Sequence, residues 1–256
     1  MWERFKLLIR MGPALIVMIL ATLVIGSLII LISPVSSGDS AYRLMVWWAR
    51  IVSKALGISC SVKGGSEIKP GTSYIVAPNH QSIADILPVL CAIPMRFRWV
   101  LKQELLRIPI FGWGLTATGA VGLDRSNSRK SVEKMQEAQN TLKGGWSLLV
   151  YPEGTTTWDG KLLPFKKGPF IMAVRTGVPI IPVTTNGAFK ILPRGARIVR
   201  PGHVTVTIGD PIPTKGLDMN DLPVLMEKTR TAIGKHLDPN YDPFGTARFH
   251  GQYTQS

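Results

Sequence analysis

The sequence predicts an α/β domain preceded by a membrane-associated pair of helices. Short apolar runs alternate with helical patterns over residues 59–237, and such alternation is typical of α/β domains. Ahead of them lies an uninterrupted apolar run, Ala14 to Ile32, which is long enough to cross a bilayer. We therefore expect a membrane-anchoring two-helix segment over residues 1–58, one α/β domain over residues 59–237 and a loosely ordered tail over residues 238–256.

The two-helix segment has two open interpretations. The apolar run is longer than the apolar part of a cleaved signal peptide, which has about 7 to 15 residues. Ala41 to Gly57 is amphipathic, and its Trp47 and Trp48 suit the headgroup level of a membrane, although a core-packing helix is the alternative. Basic residues flank the apolar run on both sides, so charge does not assign its topology. Our hypothesis is a helical hairpin dipped into the cytoplasmic leaflet, and the alternative is a single span.

Composition restricts the class of protein and its partners. Thirty Lys and Arg against sixteen Asp and Glu give a net charge of +14, which indicates an anionic partner such as nucleic acid, anionic lipid or an acidic protein. Hydrophobic residues make up 45% of the chain, which excludes a disordered protein. The two cysteines, Cys60 and Cys91, lie in apolar surroundings without a CxxC or Cys/His spacing. They predict buried thiols in a reducing compartment, and neither a disulfide framework nor a zinc site.

Short apolar runs predict the strands of the sheet. They are Tyr74 to Ala77, Phe97 to Leu101, Ala120 to Leu123, Ser147 to Tyr151, Ile180 to Thr184 and Val204 to Ile208. One helix is predicted from Ser128, which can cap it, to the Gly144-Gly145 pair. Its apolar stripe consists of Val132, Met135 and Leu142. A second helix is predicted from about Leu222 to Leu237.

The stretch Asn79-His80-Gln81-Ser82-Ile83-Ala84-Asp85 directly follows the first strand. Residues five apart on one helix lie roughly 140° from each other, so His80 and Asp85 cannot pair inside a regular helix. A turn at Pro78-Asn79 and a helix that begins near Ser82 would place His80 outside the helix and let Asp85 reach back to it. Asp85 would then fix the tautomer of a catalytic base. The alternative is a capping Asn with a satisfied surface His.

No nucleophile or metal motif accompanies this pair in the sequence. There is no GxSxG, and the remaining histidines are scattered. A base acting on the hydroxyl of a bound acceptor, with transfer from an activated donor, is the chemistry that remains. A second stretch, Tyr151 to Thr157, follows another strand, where Glu153 and Gly154 suit a ligand site or a plain turn. Cations near the two stretches could bind phosphate or be solvated surface charges, namely Lys102, Arg125, Lys161, Lys166 and Lys167.

Together these stretches resemble the glycerolipid acyltransferases, and specifically the bacterial 1-acylglycerol-3-phosphate acyltransferases. Four sequence blocks of that family occur here in order: NHQSIAD at 79–85, GAVGLDR at 119–125, YPEGT at 151–155 and VPIIPV at 178–183. Order and approximate spacing agree from about Val76 to Pro213. The resemblance implies a glycerolipid acyltransferase-like mixed sheet flanked by helices, preceded by the membrane-dipping helical pair.

The resemblance also implies the reaction and the roles of single residues. His80 would deprotonate the free sn-2 hydroxyl of lysophosphatidic acid, with Asp85 orienting it, and phosphatidic acid would form. The implied substrate-binding residues are Lys102, Arg125, Glu153, Gly154, Thr155 and Pro182. The co-substrate would be acyl-CoA or acyl-ACP, attacked directly, with no cofactor, acyl-enzyme or metal. Anionic membrane lipids and acyl carrier protein are the expected partners, nucleic acid is not, and the catalytic domain would face the cytoplasm at the inner membrane.

One position departs from the resembled pattern. The third block of the family usually continues with an arginine that is thought to hold the phosphate, and here Thr156 occupies that place. Either other cations supply the contact, or the acceptor is another lysolipid, such as a lysophospholipid or lyso-ornithine lipid. A non-enzymatic basic protein that binds membrane or nucleic acid is the alternative from a different class. Aromatic residues are not interleaved with Lys and Arg as in nucleic-acid modules, which argues against it.

Overall fold

The computed structural model describes residues 2–36, 38–124, 128–143 and 145–238. Within these ranges it contains a single sheet in the order β1-β7-β6-β2-β5-β3-β4. The strands are β1 (Ile58–Gly64), β2 (Ile75–Pro78), β3 (Phe97–Lys102), β4 (Val121–Leu123), β5 (Ser147–Val150), β6 (Ile180–Asn186) and β7 (Gly202–Ile208). All neighbours run parallel except β6 and β7, which are antiparallel, so the sheet is mixed, as the resemblance implied.

Helices cover both faces of this sheet. They are α1 (Trp2–Ile32), α2 (Asp39–Leu56), α3 (Ile86–Ala92), α4 (Phe111–Ala117), α5 (Ser128–Lys143), α6 (Gly168–Thr176), α7 (Ala188–Ile191) and α8 (Leu222–Gly234). Alternate residues of β2 face opposite layers: Val76 packs in the layer that includes α2 and α3, whereas Ile75 and Ala77 pack in the layer with α5, α6 and α8. The central strands therefore bury every residue and read as continuous apolar runs.

The predicted strands are all present, and their ends differ from the prediction by at most two residues. Strand β1 was not predicted from the sequence. This strand lies at the edge of the sheet, and of its residues Ile58 is buried while Cys60 is exposed. A strand with one buried residue carries little apolar pattern, which explains the omission. The prediction of two buried thiols is wrong: Cys60 is exposed because edge strands leave side chains in solvent, and Cys91 in α3 is only partly buried. Both cysteines are free thiols.

The predicted helices are also present, with corrected ends. The helix expected near Ser82 begins as a 3-10 turn, Ile83–Asp85, and continues as α3. Within α5, Met135 and Leu142 are buried as the stripe predicted. The helix expected to reach Leu237 ends at Gly234. Of the predicted stop, Gly144 lies outside the described residues, as do residues 239–256 of the predicted tail and the side chain of Val132.

The two N-terminal helices pack against each other and against the sheet domain. Trp48 Nε1 donates to Thr22 Oγ1 over 3.0 Å, and the Trp48 ring lies 5.8 Å from the ring of Phe111 in α4. One face of α2 is buried through Ala41, Met45, Ala49 and Val52. The core-packing alternative therefore holds for this face of α2. The two neighbouring tryptophans have different environments, because Trp48 is partly buried while Trp47 is 59% exposed.

Helix α1 combines a membrane-like composition with contacts at both ends. Among the described residues, Ile9–Ile32 is the helix long and apolar enough to cross a membrane, with a mean hydropathy of 3.1. Its outward face exposes Ile9, Leu15, Ile16, Val17, Ile19, Leu20, Leu23, Val24, Leu28 and Leu31. Near its start, Arg10 lies against Gly57. Just beyond its end, Asp39 forms an ion pair with Arg96, the residue that precedes β3.

Candidate active site

The His80 loop begins where β2 ends and is fastened to the neighbouring strand by Asn79. The buried Asn79 side chain accepts from Thr185 N over 2.7 Å through Oδ1 and donates to Thr185 O over 3.1 Å through Nδ2. An amide side chain thus pairs with the backbone of β6 as a strand residue would. This contact fastens the start of the His80 loop to β6 at the carboxyl end of β2, where α/β proteins place ligands.

His80 and Asp85 lie in contact across the start of the 3-10 turn. His80 Nδ1 is 3.1 Å from Asp85 Oδ2 and 3.2 Å from Oδ1. Ser82 caps the turn: its Oγ accepts from Ala84 N, and its own N–H donates to Asp85 Oδ2 over 3.1 Å. The capping box therefore aims the Asp85 carboxylate back at His80, as the five-residue spacing required.

The Asp85 carboxylate is fully buried and takes donors from three directions. Besides the His80 ring and Ser82 N, the hydroxyl of Tyr151 donates to Asp85 Oδ1 over 2.9 Å. These hydrogen bonds offset the cost of burying the charge. Tyr151 is the first residue of the third sequence block, but no sequence pattern assigns it a role. Its contact with a residue 66 positions away leaves no signal in the sequence.

The orientation of the His80 ring leaves one nitrogen for chemistry. Because Nδ1 faces a carboxylate, it carries the proton, and Nε2 then has a free lone pair. The ring of Tyr151 stacks on the ring of His80 with centroids 3.9 Å apart, so the imidazole cannot rotate freely. The His80 side chain is 13% exposed, which leaves it accessible from the site. Nε2 is thus the atom that can accept a proton from a ligand.

Glu153 holds the backbone of the His80 loop. Its Oε1 accepts from His80 N over 2.6 Å and its Oε2 accepts from Leu163 N over 2.7 Å. Burial raises the pKa of Glu153 to about 7, although the two backbone N–H groups favour the charged form. Each oxygen accepts one backbone N–H, which gives Glu153 a positioning role, and the acceptor binding that the resemblance implied stays a prediction.

The other predicted binding residues are divided between this site and other parts of the sheet. Gly154 has φ +71° and packs under the Lys166 side chain, and Thr155 follows it in the same turn. Lys102 ends β3 at the same sheet edge, where its Nζ lies 3.2 Å from Glu104 Oε1. Pro182 is buried within β6, opposite Ala77 and against Gly209, so it does not join this group. Arg125 lies outside the described residues.

A further cation, from a distant segment, reaches Thr156 directly after the third block. Arg194 Nη1 donates to Thr156 O over 2.8 Å, and its guanidinium lies 4.2 Å from the centroid of the Trp158 ring. Sequence reasoning missed this residue, because 38 positions separate it from Thr156 and no motif marks it. In the part of the chain that is described, no cluster of three His, Cys, Asp or Glu residues could hold a metal ion. The expected absence of a cofactor stays a prediction.

Comparisons with known proteins point to one enzyme family. A family model described as Acyltransferase matches residues 59–186. The chain is 33% identical over 178 residues to the human 1-acyl-sn-glycerol-3-phosphate acyltransferase alpha, covering 69% of this chain and 63% of that protein. It is 36% identical over 168 residues to a chloroplastic 1-acyl-sn-glycerol-3-phosphate acyltransferase of Arabidopsis thaliana, covering 65% of this chain and 46% of that protein.

A solved structure extends the similarity to the whole fold. The crystal structure of the 1-acyl-sn-glycerophosphate (LPA) acyltransferase PlsC from Thermotoga maritima superposes with a TM-score of 0.76 at 26% identity. The match covers 91% of this chain and 96% of that one, so it includes elements outside the matched family model. By contrast, the chain spans between 46% and 63% of the two curated relatives above.

Proposed function

Because the chain belongs to the acyltransferase family, whose model matches residues 59–186, we propose that it acylates the sn-2 hydroxyl of 1-acylglycerol 3-phosphate, giving phosphatidic acid. The donor is an acyl thioester, either acyl-CoA or acyl-ACP. The observation that carries this proposal is the buried Asp85 carboxylate, which holds His80 Nδ1 and leaves Nε2 free as a base. The names of the similar proteins support the choice of acceptor.

The proposed reaction is a direct transfer. His80 Nε2 removes the proton of the acceptor hydroxyl while its oxygen attacks the thioester carbonyl carbon, and Asp85 stabilises the imidazolium that forms. The new C–O bond forms, the C–S bond breaks, and the proton on His80 passes to the departing thiolate. Ser82 is the hydroxyl nearest to His80 in sequence, and it donates to Leu192 O over 2.6 Å while capping the turn. That occupation argues against Ser82 as an acyl-accepting nucleophile.

We further propose that the protein lies in one leaflet of the inner membrane, with the catalytic domain facing the cytoplasm, where acyl thioesters are found. Two contacts support a hairpin laid along the domain: Arg10 of α1 lies against Gly57, directly after α2, and Asp39 at the start of α2 pairs with Arg96. A span that carried Ile32 to the opposite surface would separate Asp39 from Arg96. Protease protection of tagged ends in sealed vesicles tests this topology: both α1 ends on the same side are expected, and ends on opposite sides would exclude the hairpin.

An acceptor panel with purified protein tests the proposed reaction. We expect turnover with 1-acylglycerol 3-phosphate to exceed that with a lysophospholipid or a lyso-ornithine lipid, using acyl-CoA and acyl-ACP in parallel. Thr156, in place of the arginine of the resembled family, favours the second candidate, an acyltransferase for another lysolipid. A higher kcat/KM for one of those lipids would replace the first proposal by the second. Absence of transfer to any of them, together with a salt-sensitive DNA gel shift, would favour the non-enzymatic alternative.

A further inference from the structure

The loop that follows α7 carries a guanidinium to the segment just after the third sequence block. Arg194 donates one N–H to Thr156 O over 2.8 Å and stacks over Trp158 at 4.2 Å. Both contacts hold the planar group in one orientation, and a guanidinium has five N–H donors in a rigid fork. Most of its donors therefore stay available to a ligand.

The charge of Arg194 is not balanced by a carboxylate within the described ranges. None of the ion pairs found among those residues includes Arg194. A partly buried guanidinium that contacts a carbonyl oxygen and an aromatic ring keeps its full positive charge for an anion.

The loop of Arg194 is bound directly to the His80 loop. Ser82 Oγ donates to Leu192 O over 2.6 Å, two residues before Arg194. On the other side, Thr157 N donates to His80 O over 3.1 Å, one residue after the carbonyl that Arg194 contacts. Two hydrogen bonds, one from the Ser82 side chain and one between backbone groups, therefore hold the segments around Arg194 and Thr156 against the His80 loop.

We propose that Arg194 binds the phosphate of the acceptor, an assignment that rests on the proposed function. In 1-acylglycerol 3-phosphate the phosphate is attached to the carbon next to the one that carries the reacting hydroxyl, so it must lie near the base. The phosphate of a phosphopantetheine donor is separated from the thioester by the whole pantetheine arm. A cation on a loop that is hydrogen-bonded to the His80 loop therefore suits the acceptor phosphate better than the donor phosphate. Arg194 also brings a guanidinium to Thr156, where the resembled family carries arginine in the chain itself.

The test compares Arg194→Gln with Arg197→Gln, an exposed arginine three residues further along the same segment. A charged hydrogen bond changes affinity by roughly 10- to 100-fold, so we expect Arg194→Gln to raise the KM for 1-acylglycerol 3-phosphate by about that factor. The KM for the acyl donor should stay unchanged, as should slow transfer to 1-acylglycerol, which lacks the phosphate. Arg197→Gln should match the wild type in all three.

Several outcomes would overturn the assignment. The first is an unchanged KM for the phosphorylated acceptor. The second is an equal loss of transfer to 1-acylglycerol, which would indicate a structural role. The third is a raised KM for the donor, which would assign Arg194 to the donor phosphate. Arg194→Lys covers the case in which Arg194→Gln does not fold: it keeps the charge but loses the fork, and a smaller rise in KM for the acceptor is expected. A KM equal to that of the wild type would contradict the role of the fork.

Failure of the proposed function gives a different result. If the wild type does not acylate 1-acylglycerol 3-phosphate, calorimetric binding of this lipid without donor still compares the wild type with Arg194→Gln. Weaker binding by Arg194→Gln supports the phosphate site even then. Equal binding, or no binding by either protein, overturns it.

Discussion

Asp85→Asn is the substitution that tests the proposed base most directly. The Asp85 oxygens accept from Tyr151, Ser82 and His80, so the carboxylate acts as an acceptor in all these contacts. An asparagine has one acceptor oxygen and an NH2 group that donates. If the oxygen of the asparagine keeps the hydrogen bond from Tyr151, its NH2 group faces Ser82 N–H and His80 Nδ1. The NH2 group cannot accept a hydrogen bond from Ser82 N–H, and it donates one to His80 Nδ1.

That rearrangement would reverse the tautomer of His80. With Nδ1 as an acceptor, the proton moves to Nε2, which then has no lone pair for the acceptor hydroxyl. The comparable change in a Ser-His-Asp triad lowers kcat by about 10⁴-fold, so we expect a loss of roughly 10³- to 10⁴-fold, or about 4 to 5.5 kcal/mol of barrier. The KM should change little, because Asp85 is fully buried behind His80 and meets no substrate.

The assay is steady-state acyl transfer by purified variants, with thermal unfolding to confirm that each is folded. Asp159→Asn is the matched control, because Asp159 is exposed in the neighbouring loop and bonds Thr157. His80→Ala should abolish transfer almost completely, and the double variant His80→Ala/Asp85→Asn should be no worse, because the two residues act as one unit. A rate for Asp85→Asn within about tenfold of the wild type would refute the coupled pair.

Two further predictions concern the residues that support the pair. Tyr151→Phe keeps the ring stacked on His80 but removes the bond to Asp85, so we expect kcat to fall about 10-fold with the acceptor KM unchanged. Tyr42→Phe is the control: it loses a partly buried hydroxyl bond elsewhere and should leave kcat unaltered. Equal kinetics for both would contradict the role of Tyr151. Burial raises the pKa of Glu153 from 4.5 to about 7, so the unfolded chain loses its proton first and stability falls as pH rises between these values. Glu153→Gln cannot ionise, so its melting temperature relative to the wild type should increase from about pH 5 to about pH 7; a constant difference would exclude this linkage.

The order of residues along the chain was enough to predict the fold class and the local geometry of the His80 pair. Apolar runs such as Tyr74 to Ala77 are produced by burial on both faces of a central strand, so they are visible without a structure. The five-residue spacing, with Pro78 and Asn79 ahead of it, restricts how His80 and Asp85 can meet, because a turn is local in the chain. The edge strand β1 escaped detection, since exposure removes the apolar pattern on which such reasoning depends.

The groups of the site that are distant in sequence could be identified only from the tertiary structure. Tyr151 reaches Asp85 because β5 lies beside β2 in the sheet, and Arg194 reaches Thr156 because the loop after α7 folds over the same edge. Glu153 was readable as a polar residue at a strand end, but the use of both its oxygens by backbone N–H groups was not. Hydrogen-bond partners far apart in sequence depend on strand order and loop paths, which no local pattern encodes.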